Sequence, residues 1–387
     1  MNLKEIREKY ELINLFCNLA EVPSPSLKEE KVAKWIKDYC DANNMDCRFD
    51  DYGNIIINIP ATDESKQPIL LSAHMDVIGD DSPVITYLDE NGNIHAEGRT
   101  LGADDKAGVA NALLFAKEVS MSDIKHGGLE CVFTRDEESG MSGIRHFDFK
   151  NIKSKYILVC DSDTLGQLEV SGASYTLCKI EVHSHKGGHS GIDIGDKTRA
   201  NAGKLIANLI AKLPQGVFYE EDGMVVTSCN LGGIDAGKIE VTNIINPDAA
   251  VSYSIRSSSR KKEEELKNIM TKTVEEFANE NKDLANVSIK FEEHLPPFEK
   301  VNDDFIPKIF KIAAERTGVE PDITSFHAGA ETHIYANETN SNGEKFIPYL
   351  VGLATVCNMH TRDEYLDYKS ILKGHELLTE VFKEFNN

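Results

Sequence analysis

Apolar residues recur along this chain in two alternating rhythms. Over 28–43, Val32, Trp35, Ile36 and Tyr39 return every three or four positions, which predicts an amphipathic helix. Over 54–59 and 68–73 the apolar runs are short and continuous, which predicts buried strands. A helix is predicted over 109–119, after Gly102 and Gly108, and strands over 129–134 and 156–160. Strand and helix taking turns in this way implies an α/β fold, with a mostly parallel sheet covered by helices on both faces.

The rhythm changes near residue 174. Over 174–183, Tyr175, Leu177, Lys179 and Glu181 alternate with Thr176, Cys178, Ile180 and Val182, as in a strand with one buried face. A helix over 200–213, a strand over 224–230 and a strand-pair region over 238–257 follow. A charged helix over 260–281 and a strand over 287–293 complete a βαββαβ order, the ferredoxin-like pattern. The sequence HLPPFE at 294–299 reads as a boundary. Beyond it a helix (304–316), a strand (346–352) and a terminal helix (364–385) resume the first rhythm. The chain therefore reads as an α/β domain with a mixed, mostly parallel sheet at 1–173 and 295–387. An α+β domain at 174–294 interrupts it.

Composition narrows the function. The chain has 387 residues, with 42 Lys and Arg against 64 Asp and Glu, a net charge of −22. That charge speaks against nucleic acid and anionic membrane surfaces as partners, because phosphate is bound by Lys and Arg. The start, MNLKEIREKYELINLF, reads as an amphipathic helix and not as a signal peptide. The apolar stretches are far shorter than the ~20 residues of a membrane helix. Eight Cys occur without CxxC spacing, and Cys131, Cys160, Cys178 and Cys229 sit in apolar runs. That usage suits a reducing cytoplasm.

Five segments carry candidate chemistry, each at or just after the end of a predicted strand, where open α/β sheets build their sites. LLSAHMDVI places His74 and Asp76 two apart, and a carboxylate commonly orients a metal-bound imidazole. GRTLGADDKAG sets two Asp in a Gly-rich turn before a helix. VFTRDEESGMSG has three consecutive acids, a costly arrangement unless solvated or neutralised by a cation. YILVCDSDTLG ends an apolar strand on Asp161, and VCNMHTRDEYL offers His360 and Glu364. Each segment alone has a bland reading as a turn, helix cap or solvated loop. Together they supply mixed His and carboxylate ligands, which suit Zn²⁺, with Co²⁺ or Mn²⁺ as competitors. HExxH, GxSxG, P-loop and GxGxxG motifs are absent.

Taken in order, HMD, GADDKAG, TRDEESG, the Asp after an apolar strand, KGGHSG, SIRS and NMHTRDE resemble the dizinc exopeptidases of the peptidase T and aminoacyl-histidine dipeptidase group. Aminoacylases, carboxypeptidase G and succinyl-diaminopimelate desuccinylase are relatives of that group. The resemblance implies His74, Asp104, Glu138, Asp161 and His360 as ligands of two zinc ions, with Asp104 shared between them. It implies Asp76 as the residue that holds His74, Glu137 as general base, and a cis bond between Asp104 and Asp105. His189 and Arg256 take the places of substrate-binding residues in the inserted domain, Arg256 gripping a carboxylate. The insert would act as a lid and as the contact of a homodimer. The expected activity is aminopeptidase action on di- or tripeptides. An N-acyl amino acid amidohydrolase of the same fold and a non-catalytic metal-binding protein are the alternatives. His183, His185 and the segment FHAGAETH, from His327 to Glu331 and beyond, receive no role. The Phe326–His333 stretch is closer to aminoacyl-histidine dipeptidases, while the chain length is closer to peptidase T-like proteins.

Overall fold

A computed structural model describes residues 2–387. Its larger sheet has eight strands, ordered Asp46–Phe49, Ile55–Ile59, Leu129–Thr134, Ile69–His74, Tyr156–Val159, Ile347–Val351, Gln167–Gly172 and Asp322–Phe326. The four central strands, from Leu129–Thr134 to Ile347–Val351, run parallel. Asp46–Phe49, Ile55–Ile59 and Gln167–Gly172 pair antiparallel around them. Every residue of the four central strands is buried, which is why they read as mainly apolar runs, interrupted by Ser72 and Glu130. The mixed, mostly parallel sheet expected from the sequence is thus present.

The helix Ala103–Ser120 lies against strand Ile69–His74 and is buried almost all round. Its start at Ala103 precedes the predicted 109–119, but Asp104 and Asp105 depart from helical geometry and kink the first turn, so regular helix begins only after them. The predicted N-terminal helix is two helices, Leu3–Lys9 and Glu11–Ala20, separated by Tyr10 in an extended conformation. Arg7 joins them, donating to Asn14, Asn18 and Glu21. The predicted helix over 364–385 begins only at Tyr368, where Asp367 caps it. Its first residues form a strand, Tyr365–Asp367, in a small sheet with Val356–Cys357, Asn93–Ala96 and Thr86–Leu88. These strands of two to four residues are too short to show a period in the sequence.

Close packing divides the chain into two units. One runs to Val170 and includes Lys300–Thr324 and Ala330–Asn387; the other is Ser171–Glu299 with Ser325–Gly329. The second unit has an antiparallel sheet ordered Gly216–Glu221, Met224–Asp235, Asp248–Ser257, Tyr175–Ser184 and Ala285–Leu295. Setting aside the edge strand Gly216–Glu221, this is the ferredoxin-like order. Thr176, Cys178, Ile180 and Val182 are buried, and the cysteine, isoleucine and valine join a core with residues of the helices Ala202–Ile210 and Arg260–Glu280. Among the described residues all eight cysteines are free, and no helix is long and apolar enough to cross a membrane.

Candidate metal centre

Strand Ile69–His74 carries His74 to its carboxyl end, where the imidazole is only 2% exposed. His74 Nδ1 donates to the backbone carbonyl of Asp76 at 2.9 Å, and lies 3.3 Å from its carboxylate. That bond commits Nδ1 and turns Nε2 toward Asp104 Oδ1 at 3.2 Å and Asp161 Oδ1 at 3.5 Å. Asp161 follows the strand Tyr156–Val159.

Asp76 reaches further than the imidazole. Its carboxylate accepts the backbone N–H of Glu137 at 2.9 Å, that of Glu138 at 3.2 Å, and the Ser26 hydroxyl at 2.7 Å. The turn it pins is tight. Asp136 is left-handed, with φ 55°, and takes the Ser139 and Ser142 hydroxyls on its carboxylate. One buried acid therefore sets His74 and both glutamates together.

A second buried acid does the same for the Asp104 loop. Glu364 accepts the N–H groups of Gly102 and Ala103, both at 2.8 Å, and of Asp104 at 3.3 Å, together with the Thr100 hydroxyl. Gly102 has φ 73°, and a Cβ there would meet Val77 at 2.7 Å, so no other residue fits the turn. The Asp104–Asp105 peptide is cis. Asp105 turns inward, accepting the Gly108 N–H at 2.9 Å, and burial pushes its carboxyl well up.

His360 approaches Asp104 from the other side. It has φ 63° and is half exposed, and its Nε2 lies 3.0 Å from Asp104 Oδ2 and 2.9 Å from Glu138 Oε1. The two oxygens of Asp104 thus face different histidines. Ligand atoms of His74, Asp104 and Glu138 lie within 4.8 Å of one another.

The donor set fits a pair of divalent cations. Atoms bonded tetrahedrally to zinc at ~2.0–2.1 Å sit roughly 3.3 Å apart, close to the separations on either side of Asp104. The electrostatics agree. Burial raises Asp161 to about 6 and Glu138 to about 7, opposed by His74. Glu137 is pushed well above the usual carboxylate range, by burial first and then by Asp161, Glu331 and Glu138, with His74 opposing. Burial works against the charge of Asp104 too, but hydrogen bonds from His360 and His74 win and hold it low. With no cation beside them, such acids take up protons; divalent cations relieve that repulsion directly.

The remaining predicted residues lie in the second unit. His189 sits on the short strand Gly188–His189, paired with Ile244–Ile245, and is exposed. Its Nδ1 accepts the N–H groups of Gly191 and Ile192 at 3.1 and 3.2 Å. Arg256 ends strand Asp248–Ser257 with its guanidinium 4.4 Å above the Tyr175 ring. His183 pairs with Asp248, and His185 with the Lys282 carbonyl, which gives both a structural partner. Ser26, the positioning function of Glu364, and Glu331 were not foreseen. Glu331 is buried, raised to about 8 by desolvation, and acts electrostatically on Glu137. Glu364 had a signal in its place four residues after His360, and Glu331 lay in the FHAGAETH segment singled out by resemblance, without a role.

Comparison with known proteins gives a consistent picture. The profile of Peptidase family M20/M25/M40 matches residues 70–384. Bacillus subtilis YqjE, itself uncharacterized, is 26% identical over 383 residues, spanning 96% of this chain and 98% of its own. Peptidase T of Bacillus subtilis is 27% identical over 297 residues, covering 76% of this chain and 67% of its own. The crystal structure of aminopeptidase PepT from Bacillus cereus superposes with a TM-score of 0.86 at 25% identity, covering 97% of this chain and 98% of that one.

Proposed function

The chain belongs to the M20/M25/M40 peptidase family, and from that premise we propose that it is a metal-dependent aminopeptidase of di- and tripeptides. The observation that carries the reading is the division of Asp104, one carboxylate oxygen toward His74 and the other toward His360. His74, Asp104 and Asp161 would hold one cation, and Asp104, Glu138 and His360 the other. The donor chemistry favours Zn²⁺, with Co²⁺ and Mn²⁺ as competitors. Such a pair of cations lowers the pKa of water and polarises the scissile carbonyl.

The chain's own groups supply the rest. Glu137, next to the ligand Glu138 and tied to Asp76 through its N–H, takes a proton from the attacking water and returns it to the leaving amine. Asp76 fixes the tautomer of His74, so that Nε2 presents a lone pair. Arg256 binds a substrate carboxylate, and His189 contacts the reacting peptide. The second unit serves as lid and dimer contact. Exposed apolar residues near His189, among them Ile192, Ile194 and its strand partner Ile244, support a partner surface there. The working place is the cytoplasm.

The test is a mixed library of unblocked peptides and N-acyl amino acids given to metal-loaded protein. Release of free amino acid from the amino end of di- and tripeptides, with N-acyl substrates untouched, is expected; the reverse profile would make the protein a deacylase. Glu137→Ala should keep its metal and lose turnover. Cleavage of neither class by metal-loaded protein would favour a non-catalytic role. Sedimentation should give a dimer mass, and a fully active monomer would remove the dimer from the account.

A further inference from the structure

One stretch of the first unit, residues 22–29, runs from the helix Glu11–Ala20 to the helix Glu30–Ala42 and touches three of the segments that carry proposed ligands. Pro23 and Pro25 have a fixed φ and no N–H, and each pushes the residue before it toward extended backbone. The stretch is therefore drawn out, and it lies along residues 75–77. Ser24 is buried; its hydroxyl donates to the Met75 carbonyl at 2.8 Å, its carbonyl accepts the Val77 N–H at 3.0 Å, and Pro25 bridges Val77 in parallel. Before them, the Val22 carbonyl accepts the ammonium of the buried Lys106 at 2.7 Å, two residues from Asp104. After them, the Ser26 hydroxyl reaches Asp76.

The stretch ends on Glu29, which is fully buried. Its Oε1 accepts the N–H groups of Leu27 at 2.8 Å and of Asp136 at 3.1 Å. Its Oε2 takes Nε and Nη2 of Arg135, both at 2.7 Å. A buried carboxylate is tolerated when its charge is paired and its lone pairs are filled, and here both conditions are met. Leu27 has φ 67°, a left-handed backbone that a non-glycine residue keeps only where its surroundings fix it. On the far side of Glu29, the Arg135 N–H goes to Oδ1 of the buried Asn54 at 3.0 Å, and the Glu137 and Glu138 N–H groups go to Asp76. The backbone N–H of every residue from 135 to 138 is thus held by a side chain: Asn54, Glu29 or Asp76. The Glu137 carboxylate hangs from that turn, so its place follows from the backbone. Desolvation offsets most of the attraction within a buried ion pair, which leaves geometry as the main thing the Glu29–Arg135 pair supplies.

We propose that residues 22–29 form a strap across the ligand-bearing loops, and that Glu29 is the positioning residue for Glu137, acting through Arg135 and the Asp136 N–H. The inference rests on the reading of Glu137 as general base. Glu29 itself touches neither cation nor peptide.

The experiment uses the metal-loaded full chain and a tripeptide. Glu29→Gln removes the charge that Arg135 faces and keeps the size of the side chain. Its kcat should fall roughly 10- to 100-fold, as for a reacting group displaced by up to ~1 Å, while KM and metal content stay as in wild type. Arg135→Lys keeps the charge but not both N–H contacts. It should lose less, and it carries the test if melting shows that Glu29→Gln does not fold. A merely structural loss would multiply with any other, so the cycle with Glu137→Asp is decisive. In that background the base carboxylate is already drawn back, and Glu29→Gln should cost only about threefold or less. Hydrogen exchange at the Asp136 and Glu137 amides should quicken roughly tenfold or more in Glu29→Gln, with the strand Leu129–Thr134 protected as before. Unchanged kcat in folded Glu29→Gln, a loss confined to KM or to metal content, or the same factor in both backgrounds would overturn the proposal. Exchange also separates the strap from the reading it rests on. Full turnover in Glu137→Ala would end the base reading, whereas unchanged exchange in Glu29→Gln would end the strap whatever Glu137 does.

Discussion

The two halves around Asp104 offer the same kinds of donor group but are built differently. On one side His74 ends a wholly buried strand, is 2% exposed, and is fixed through Nδ1 by the Asp76 carbonyl. Asp161 follows the neighbouring parallel strand. On the other side His360 stands in a loop at φ 63°, half exposed, and its partner Glu138 sits on a four-residue helix. The first half is preorganised by the sheet; the second depends on loops held by Asp76 and Glu364. Two cations bound here should therefore differ in affinity, with the His74 side the tighter.

The largest effect expected from that difference is in metal content. His74→Ala should lose essentially all turnover and empty its own half, whereas His360→Ala should retain one cation per chain by mass spectrometry of trace metals. Equal retention in the two variants would make the halves equivalent. Next in size is a pH effect. Hydrogen bonding to Asp104 raises His360 to about 9, and burial raises Glu138 to about 7. A cation entering this half must displace the His360 proton at any pH below about 9, and the Glu138 proton as well below about 7. Affinity of the weaker site should therefore climb as pH rises from 6 to 9 and then level, measured by calorimetry. A flat profile would mean that these groups do not ligate.

Smaller effects belong to the acids that hold ligands without binding metal. Asp76→Asn should reduce metal affinity or activity by ~10–100-fold, the usual cost of disturbing a partner behind a metal ligand. Glu364→Gln should act in the same range but chiefly on kcat/KM, through the Asp104 loop. Ser26→Ala removes one hydrogen bond to Asp76, and a loss of about 1 kcal/mol in unfolding experiments is expected.

The same contrast explains what could be read in advance. His74, Asp104, Glu138 and Asp161 follow apolar strands or precede a helix, so periodicity alone marks where their segments belong. The strand ends are legible because buried parallel strands leave mainly apolar runs, as at Leu129–Thr134, where the predicted and observed limits coincide although Glu130 interrupts the run. His360 has no such signal: its neighbours form a two-residue strand and a loop, and the helix expected at 364 is displaced by strand Tyr365–Asp367. Glu364, Ser26 and Glu331 act through contacts tens to hundreds of residues apart in sequence, as with Ser26 and Asp76 or Glu364 and Gly102. No local pattern encodes those pairings. His327 lay in a segment singled out by resemblance, but its link to Ser228 needed the fold.

Anomalous diffraction at the zinc edge, from crystals grown with zinc in excess, tests the central claim most directly. The account predicts two peaks straddling the Asp104 carboxylate, the fuller one against His74 and Asp161 and the other against His360 and Glu138. Density with no cation touching Asp104, or with the two imidazoles pointing into separate regions, would contradict it.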